Sequence, residues 1–215
     1  MTIYRLFYFS IVPLLSWLAC QQQLPVSKDT APVANEKKPA ENILPGAYRF
    51  DQYLPLIKGR SVALFANQTS IVGHAHLVDT LKKLGIVPVK IFSPEHGFRG
   101  TADAGEKVGS YTDKATGIPI VSLYGSKSKP SAEDLKDVDI LLFDMQDVGA
   151  RFYTYLASLQ EYIEAAIAYR KPVIVLDRPN PNGFYVDGPV LDLTYRSHVG
   201  MQRVPVVYGM TIGEY

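Results

Sequence analysis

The strongest constraint on this chain is an alternation. Short β-branched apolar runs cover Ser61 to Ala66, Val87 to Phe92, Ile118 to Leu123, Val138 to Phe143 and Pro172 to Leu176, with helical patterns between most of them. Each run has the length of a buried strand and is bounded by Gly, Pro, Asp or Asn. Between them, His76 to Leu84 carries Leu77, Leu81 and Leu84 at helical spacing and is closed by Gly85. Ser131-Ala132-Glu133-Asp134 has the form of a capping box. Phe152 to Tyr169 repeats Leu156, Leu159, Ile163 and Ile167 on one face. Strands that alternate with helices build a parallel sheet with right-handed crossovers. The expected fold is therefore α/β and Rossmann-like, a mostly parallel sheet with helices on both faces. Upstream, Tyr48, Tyr53, Leu54 and Ile57 predict an amphipathic helix that Pro55 interrupts.

The N-terminus differs in kind. Arg5 precedes an apolar stretch from Leu6 to Ala19, short for a transmembrane helix and right for the core of a signal peptide. Cys20, the chain's single cysteine, ends that stretch in a position that resembles a bacterial lipoprotein signal. Trp17 and Leu18 are bulkier than that pattern usually holds, which leaves ordinary cleavage as the alternative. We expect residues 1–20 to be a signal peptide of lipoprotein type, with Cys20 lipidated and the chain exported to the periplasm on a membrane anchor. Residues 21–42 hold Gln, Pro, Ala, Lys and Glu with few large apolar side chains and read as a disordered linker. The folded unit is expected over 43–215. One cysteine excludes an intrachain disulfide and a thiolate metal cluster. A net charge of +1 without a basic tract argues against a nucleic-acid partner.

Ligands of open α/β sheets sit outside the carboxyl ends of the strands. In this reading the first loop there holds Asn67 and Gln68. The second, Ser93-Pro94-Glu95-His96-Gly97-Phe98-Arg99-Gly100, holds Glu95, His96 and Arg99. A further loop holds Gln146, Asp147 and Arg151, and the last holds Asp177, Arg178 and Asn180. Amides, carboxylates and guanidinium groups each make paired, directed hydrogen bonds of the kind sugar hydroxyls and acetamido groups take. Tyr153 and Tyr155 offer an apolar face for a pyranose ring, with helix packing the better reading for one of them. The Glu95 loop can also be read as a plain turn, Asp144 as a strand-end residue that ties down backbone, and Asp177-Arg178 as an internal ion pair. The dinucleotide fingerprint, the Walker motif and the Gly-x-Ser-x-Gly elbow are missing from their expected places. His74 and His76 stand at a helix start rather than as a metal pair. Carboxylate acid–base chemistry remains.

Three segments carry a resemblance: residues 93–100, Asp-Met-Gln-Asp-Val-Gly-Ala-Arg-Phe-Tyr-Thr-Tyr at 144–155, and Asp-Arg-Pro-Asn-Pro-Asn-Gly at 177–183. They are similar to the signature segments of the exo-β-N-acetylmuramidase family, as is Gly-Met-Thr-Ile-Gly-Glu at 209–214. The resemblance implies a Rossmann-like N-terminal domain and a smaller C-terminal domain with the active site between them. It implies release of N-acetylmuramic acid from the non-reducing end of peptidoglycan fragments without a cofactor. It makes Glu95 the candidate general acid and Asp147 the candidate second carboxylate. Asn67, Gln68, His96, Gln146, Tyr153 and Asn180 become candidate substrate ligands, and Arg99, Arg151 or Arg178 candidates for holding the lactyl carboxylate. Tyr208 stands where many relatives carry His, which we expect to matter little. The chain ends at Tyr215, where the family continues, so we expect an N-terminal portion lacking the C-terminal domain. The competing readings are a non-catalytic peptidoglycan-binding lipoprotein and a membrane-tethered scaffold.

Overall fold

The computed structural model describes residues 43–100 and 109–215. A six-stranded sheet forms from β1 (Val62–Ala66), β4 (Lys90–Ser93), β5 (Tyr111–Thr112), β6 (Pro119–Ser122), β7 (Ile140–Asp144) and β8 (Val173–Val175). β2 (Ile71–Val72) and β3 (Ala75–His76) make a separate antiparallel hairpin. The order across the large sheet is β5-β6-β4-β1-β7-β8, parallel except for the edge pair β5–β6. From β1 the chain steps to β4 on one side, and from β7 to β8 on the other. That reversal is the Rossmann-like switch point, and it lies between β1 and β7.

Period-two alternation within the strands sorts their side chains to two faces. Val62, Leu64, Ile91, Ile120, Ile140 and Leu142 face α1 (Phe50–Ile57) and α2 (Leu77–Lys83), meeting Tyr53, Ile57, Leu77 and Leu81. Ala63, Phe65, Phe92, Leu141 and Phe143 face α3 (Ala132–Leu135) and α4 (Tyr155–Ala168). Tyr162 of α4 is fully buried there, its ring 5.0 Å from Phe65 and 5.7 Å from Phe92 in edge contacts. Helices thus cover both faces, as the alternation predicts.

Boundaries move where local chemistry overrides the pattern. The strand expected from Val87 begins at Lys90, because Pro88 cannot donate to the ladder and pairing starts with the Val89 N–H on Val62 O. Val87 stays half exposed. The helix expected from Phe152 begins at Tyr155, leaving Phe152 and Tyr153 exposed ahead of it. α1 runs through Pro55 instead of breaking there, and Tyr48 falls in a separate 3-10 turn. The capping box at Ser131 forms with Asp134 as expected. The expected signal peptide, Cys20 and the 21–42 linker lie outside the described residues.

Candidate active site

The switch-point crevice is closed by the chain's own loops. The Ser70 hydroxyl donates to the Asp144 carbonyl, and the Gln146 N–H donates to Thr69 Oγ1 at 2.9 Å. Arg178 reaches into the same place and holds Asp144 in a two-pronged ion pair, Nε to Oδ1 at 2.6 Å and Nη2 to Oδ2 at 3.0 Å. Burial pushes the Asp144 carboxyl up and the guanidinium opposes it. A separate cleft is lined by residues that follow β4 and by those at the start of α4.

There Glu95 sits on a tight turn. The Gly97 N–H donates to Pro94 O at 3.1 Å, and His96 takes φ 68° in the left-handed region that favours glycine. Strained backbone of this kind gathers at functional sites, where neighbours over-determine it. The neighbours here are clear. Phe98 is fully buried against the His76 ring at 4.5 Å, and Arg99 lies over the Phe98 ring at 4.7 Å while binding Asp113 and Asp79 at 3.0 and 3.4 Å. Burial pushes the Asp113 carboxyl up, but Arg99 and Thr116 more than offset it and leave it below the carboxylate range. The far end of the loop is thus bolted down, which holds Glu95 at its near end.

Glu95, His96, Phe152, Tyr153, Thr154 and Tyr155 line a cleft of about 220 Å³. Tyr124, after β6, hydrogen-bonds Glu95, which raises the Tyr124 hydroxyl above its ordinary range. Burial raises the Tyr155 hydroxyl, the amides of Asn67 and Gln68 oppose it, and the charges of Glu95 and Asp147 raise it further. Tyr155 therefore feels both candidate carboxylates. A larger groove of about 870 Å³ runs along α2 and the hairpin past Gln68, His74, Lys82 and Arg99. The smaller cleft is the better candidate because it holds the carboxylate on the strained turn.

Four buried side-chain atoms near this edge have no hydrogen-bond partner among the described residues: Asn67 Nδ2, Ser93 Oγ, Ser122 Oγ and Asp147 Oδ1. They belong to the carboxyl ends of β1, β4, β6 and β7, with Ser93 and Ser122 directly opposite in register. A fifth such atom, Glu161 Oε2, lies elsewhere on α4. Buried polar atoms are normally paired, and these four exceptions all fall at the carboxyl edge of the sheet.

The structure separates the residues proposed from sequence. Glu95, His96 and Tyr153 line the cleft, with Asn67 and Gln68 beside it; the Gln68 side chain packs over Gly100. Asp147 lies beneath, only 4% exposed. Several others are spent inside the protein. Gln146 Nε2 donates to the carbonyls of Asp147 and Pro179 at 2.8 Å each. Asn180 donates to Met210 O at 2.7 Å and accepts from the Asn182 N–H at 2.8 Å. Arg151 Nη1 donates to the carbonyls of Pro189 and Val204. The ion pair read between Asp177 and Arg178 is corrected: the guanidinium pairs with Asp144, while Asp177 accepts from Thr211 Oγ1 and the Gly213 N–H. His76 uses both ring nitrogens, on the Val78 N–H and Asn67 O. Tyr124 was not foreseen, because its tie to Glu95 arises only where β4 and β6 pair. Tyr208 proves buried, its hydroxyl on Asp147.

Fold and site together define a Rossmann-like α/β protein with a carboxylate-bearing cleft at the strand ends. Residues 62–215 match the family model described as exo-β-N-acetylmuramidase NamZ, N-terminal, and the chain belongs to that family. It is 47% identical over 165 residues to the peptidoglycan β-N-acetylmuramidase NamZ of Bacillus subtilis, covering 75% of this chain and 40% of that protein. A DUF1343 family protein of Bacteroides fragilis superposes with TM-score 0.71 at 45% identity, over 81% of this chain and 45% of the other. A second from the same organism gives TM-score 0.72 at 38% identity, over 79% and 44%. The chain spans less than half the length of each of these relatives.

Proposed function

We propose that the strand-end cleft takes the N-acetylmuramic acid at the non-reducing end of peptidoglycan fragments, and that Glu95 protonates the glycosidic oxygen as it leaves. The observation that carries this is Glu95 itself, the carboxylate that lines the cleft, set beside the left-handed turn at His96 and facing Phe152, Tyr153 and Tyr155. A general acid is chosen by reach before pKa, and Glu95 has the reach. Exposed Phe152 and Tyr153 offer the ring face, Tyr124 hydrogen-bonds the carboxylate, and Tyr155 lines the cleft beside it. Asp147, sealed beneath, takes part as the second carboxylate through Tyr155 rather than by lining the cleft. Arg99 is the candidate for the lactyl carboxylate that stands on the Glu95 loop, and to serve it would have to share a guanidinium that already pairs with Asp113 and Asp79. Kinship with a protein named as a peptidoglycan β-N-acetylmuramidase supports the same substrate.

The test is turnover of a chromogenic N-acetylmuramide by the chain and by Glu95→Gln. Loss of turnover with saccharide binding retained is expected. A parent that binds the saccharide and never cleaves it would instead support a binding lipoprotein. We also propose, from the sequence of residues 1–20, that the chain is exported and lipidated at Cys20. Labelled palmitate incorporated by the parent and not by Cys20→Ala is the expected result; equal labelling would contradict it.

A further inference from the structure

Asp147 and Tyr208 stand 61 positions apart and meet on the α4 side of the sheet, at 4% and 3% exposure. Oδ2 of Asp147 accepts from the Gly149 N–H at 2.8 Å and from the Tyr208 hydroxyl. Oδ1 is buried and accepts nothing among the described residues. The ion pairs among the described residues leave Asp147 out, so no lysine, arginine or histidine compensates it there. Its two oxygens are therefore unlike. Oδ2 accepts from the Gly149 N–H and the Tyr208 hydroxyl, donors that favour the anion, and the proton of the neutral acid belongs on Oδ1.

The surroundings act on the same balance. Burial pushes the Asp147 carboxyl up, and the N–H groups of Gly149 and Val148 oppose it. The titratable groups that face it are Tyr208, from the segment paired with Ala150 and Asp187 through Val207, and Tyr155 on α4, which also feels Glu95. Asp147 and Glu95 both act on Tyr155, so a change of charge at Asp147 is felt at the cleft through that tyrosine.

We propose that Tyr208 is a positioning residue: with the Gly149 N–H it fixes Asp147 so that Oδ1 is the oxygen that carries and releases the proton behind Tyr155. The catalytic meaning of this rests on the proposed function; the hydrogen bond and the proton do not. On ionisation the proton leaves Oδ1 for solvent, and the carboxylate keeps both donors on Oδ2.

The experiment is a titration of the full chain labelled with carboxyl carbon-13 aspartate, with the Asp147 resonance identified by its loss in Asp147→Asn. In the parent, Asp147 titrates above the ordinary carboxylate range. Tyr208→Phe removes one donor to the anion, so the midpoint rises further, by about one pH unit or more. Tyr208→His keeps a ring N–H donor and restores part of the shift. A packing role would lower the melting temperature of Tyr208→Phe and leave the Asp147 midpoint unmoved, which would overturn the proposal. Should Tyr208→Phe fail to fold, the parent decides: a midpoint within the ordinary carboxylate range overturns it equally. In a chain that turns over, the pH–rate limb follows the same midpoint in Tyr208→Phe, and kcat falls more than KM rises. A parent that shows the shift but neither binds nor cleaves a muramyl saccharide sinks the proposed function and leaves this inference standing.

Discussion

Arg178 shows what a single residue can and cannot reveal from sequence. Its neighbour Asp177 was the obvious partner, yet the guanidinium turns to Asp144 from another strand, and the Asp177 oxygens go to Thr211 and Gly213. A pairing that depends on β7 and β8 lying side by side has no local signature. The consequence is testable. Arg178→Leu leaves Asp144 buried and uncompensated, so urea unfolding should show a loss of about 3–5 kcal/mol. Adding Asp144→Asn should recover much of it, whereas a purely substrate-binding arginine would change binding and leave stability alone. His76 gives a pH prediction. Burial holds its ring below the ordinary histidine value, the Asn67 carbonyl partly opposes this, and the neutral ring accepts from the Val78 N–H at the start of α2. Native His76 resists protonation more than unfolded His76. Its contribution is therefore present above about pH 6.5 and is lost as pH falls below that value. His76→Asn keeps a capping side chain without that titration. The melting temperature of the parent should fall more steeply than that of the variant on mild acidification; parallel curves would contradict the assignment.

At the scale of elements, the strands and the long helix were legible because their burial imposes a period, and the capping box because its chemistry is local. The β2–β3 hairpin was not, since strands of two residues are too short to show alternation. Loop interiors were legible in composition but not in direction: four polar loops were found, yet Gln146, Asn180 and Arg151 turn out to bind backbone. Gly149 shows how such a loop is held. It takes φ 78°, and a Cβ there would lie 2.1 Å from Asn180 Oδ1, whereas Gly85 takes φ 80° with nothing within 4 Å. Gly85→Ala should cost about 1–2 kcal/mol from the left-handed backbone alone. Gly149→Ala should cost about 2 kcal/mol more, because Asn180 must leave Met210 O and strand-end packing is disturbed. Thermal unfolding of the two variants compares them directly, and equal losses would argue against the Asn180 contact.

For the molecule as a whole, the sheet order leaves the candidate cleft at the ends of β4, β6 and α4, while the switch point itself is sewn shut by Ser70, Thr69 and Arg178. Membership of the exo-β-N-acetylmuramidase NamZ N-terminal family places this arrangement in a protein class, and the chain spans 40% of its Bacillus subtilis relative. The central claim is that Glu95 in this cleft cleaves muramic acid from the non-reducing end. Its most direct test is mass analysis of products from a reducing-end-labelled peptidoglycan saccharide whose other end is N-acetylmuramic acid. The account predicts free N-acetylmuramic acid and a labelled remnant one sugar shorter from the parent, and neither from Glu95→Gln. Internal cleavage, or equal release by Glu95→Gln, would contradict it.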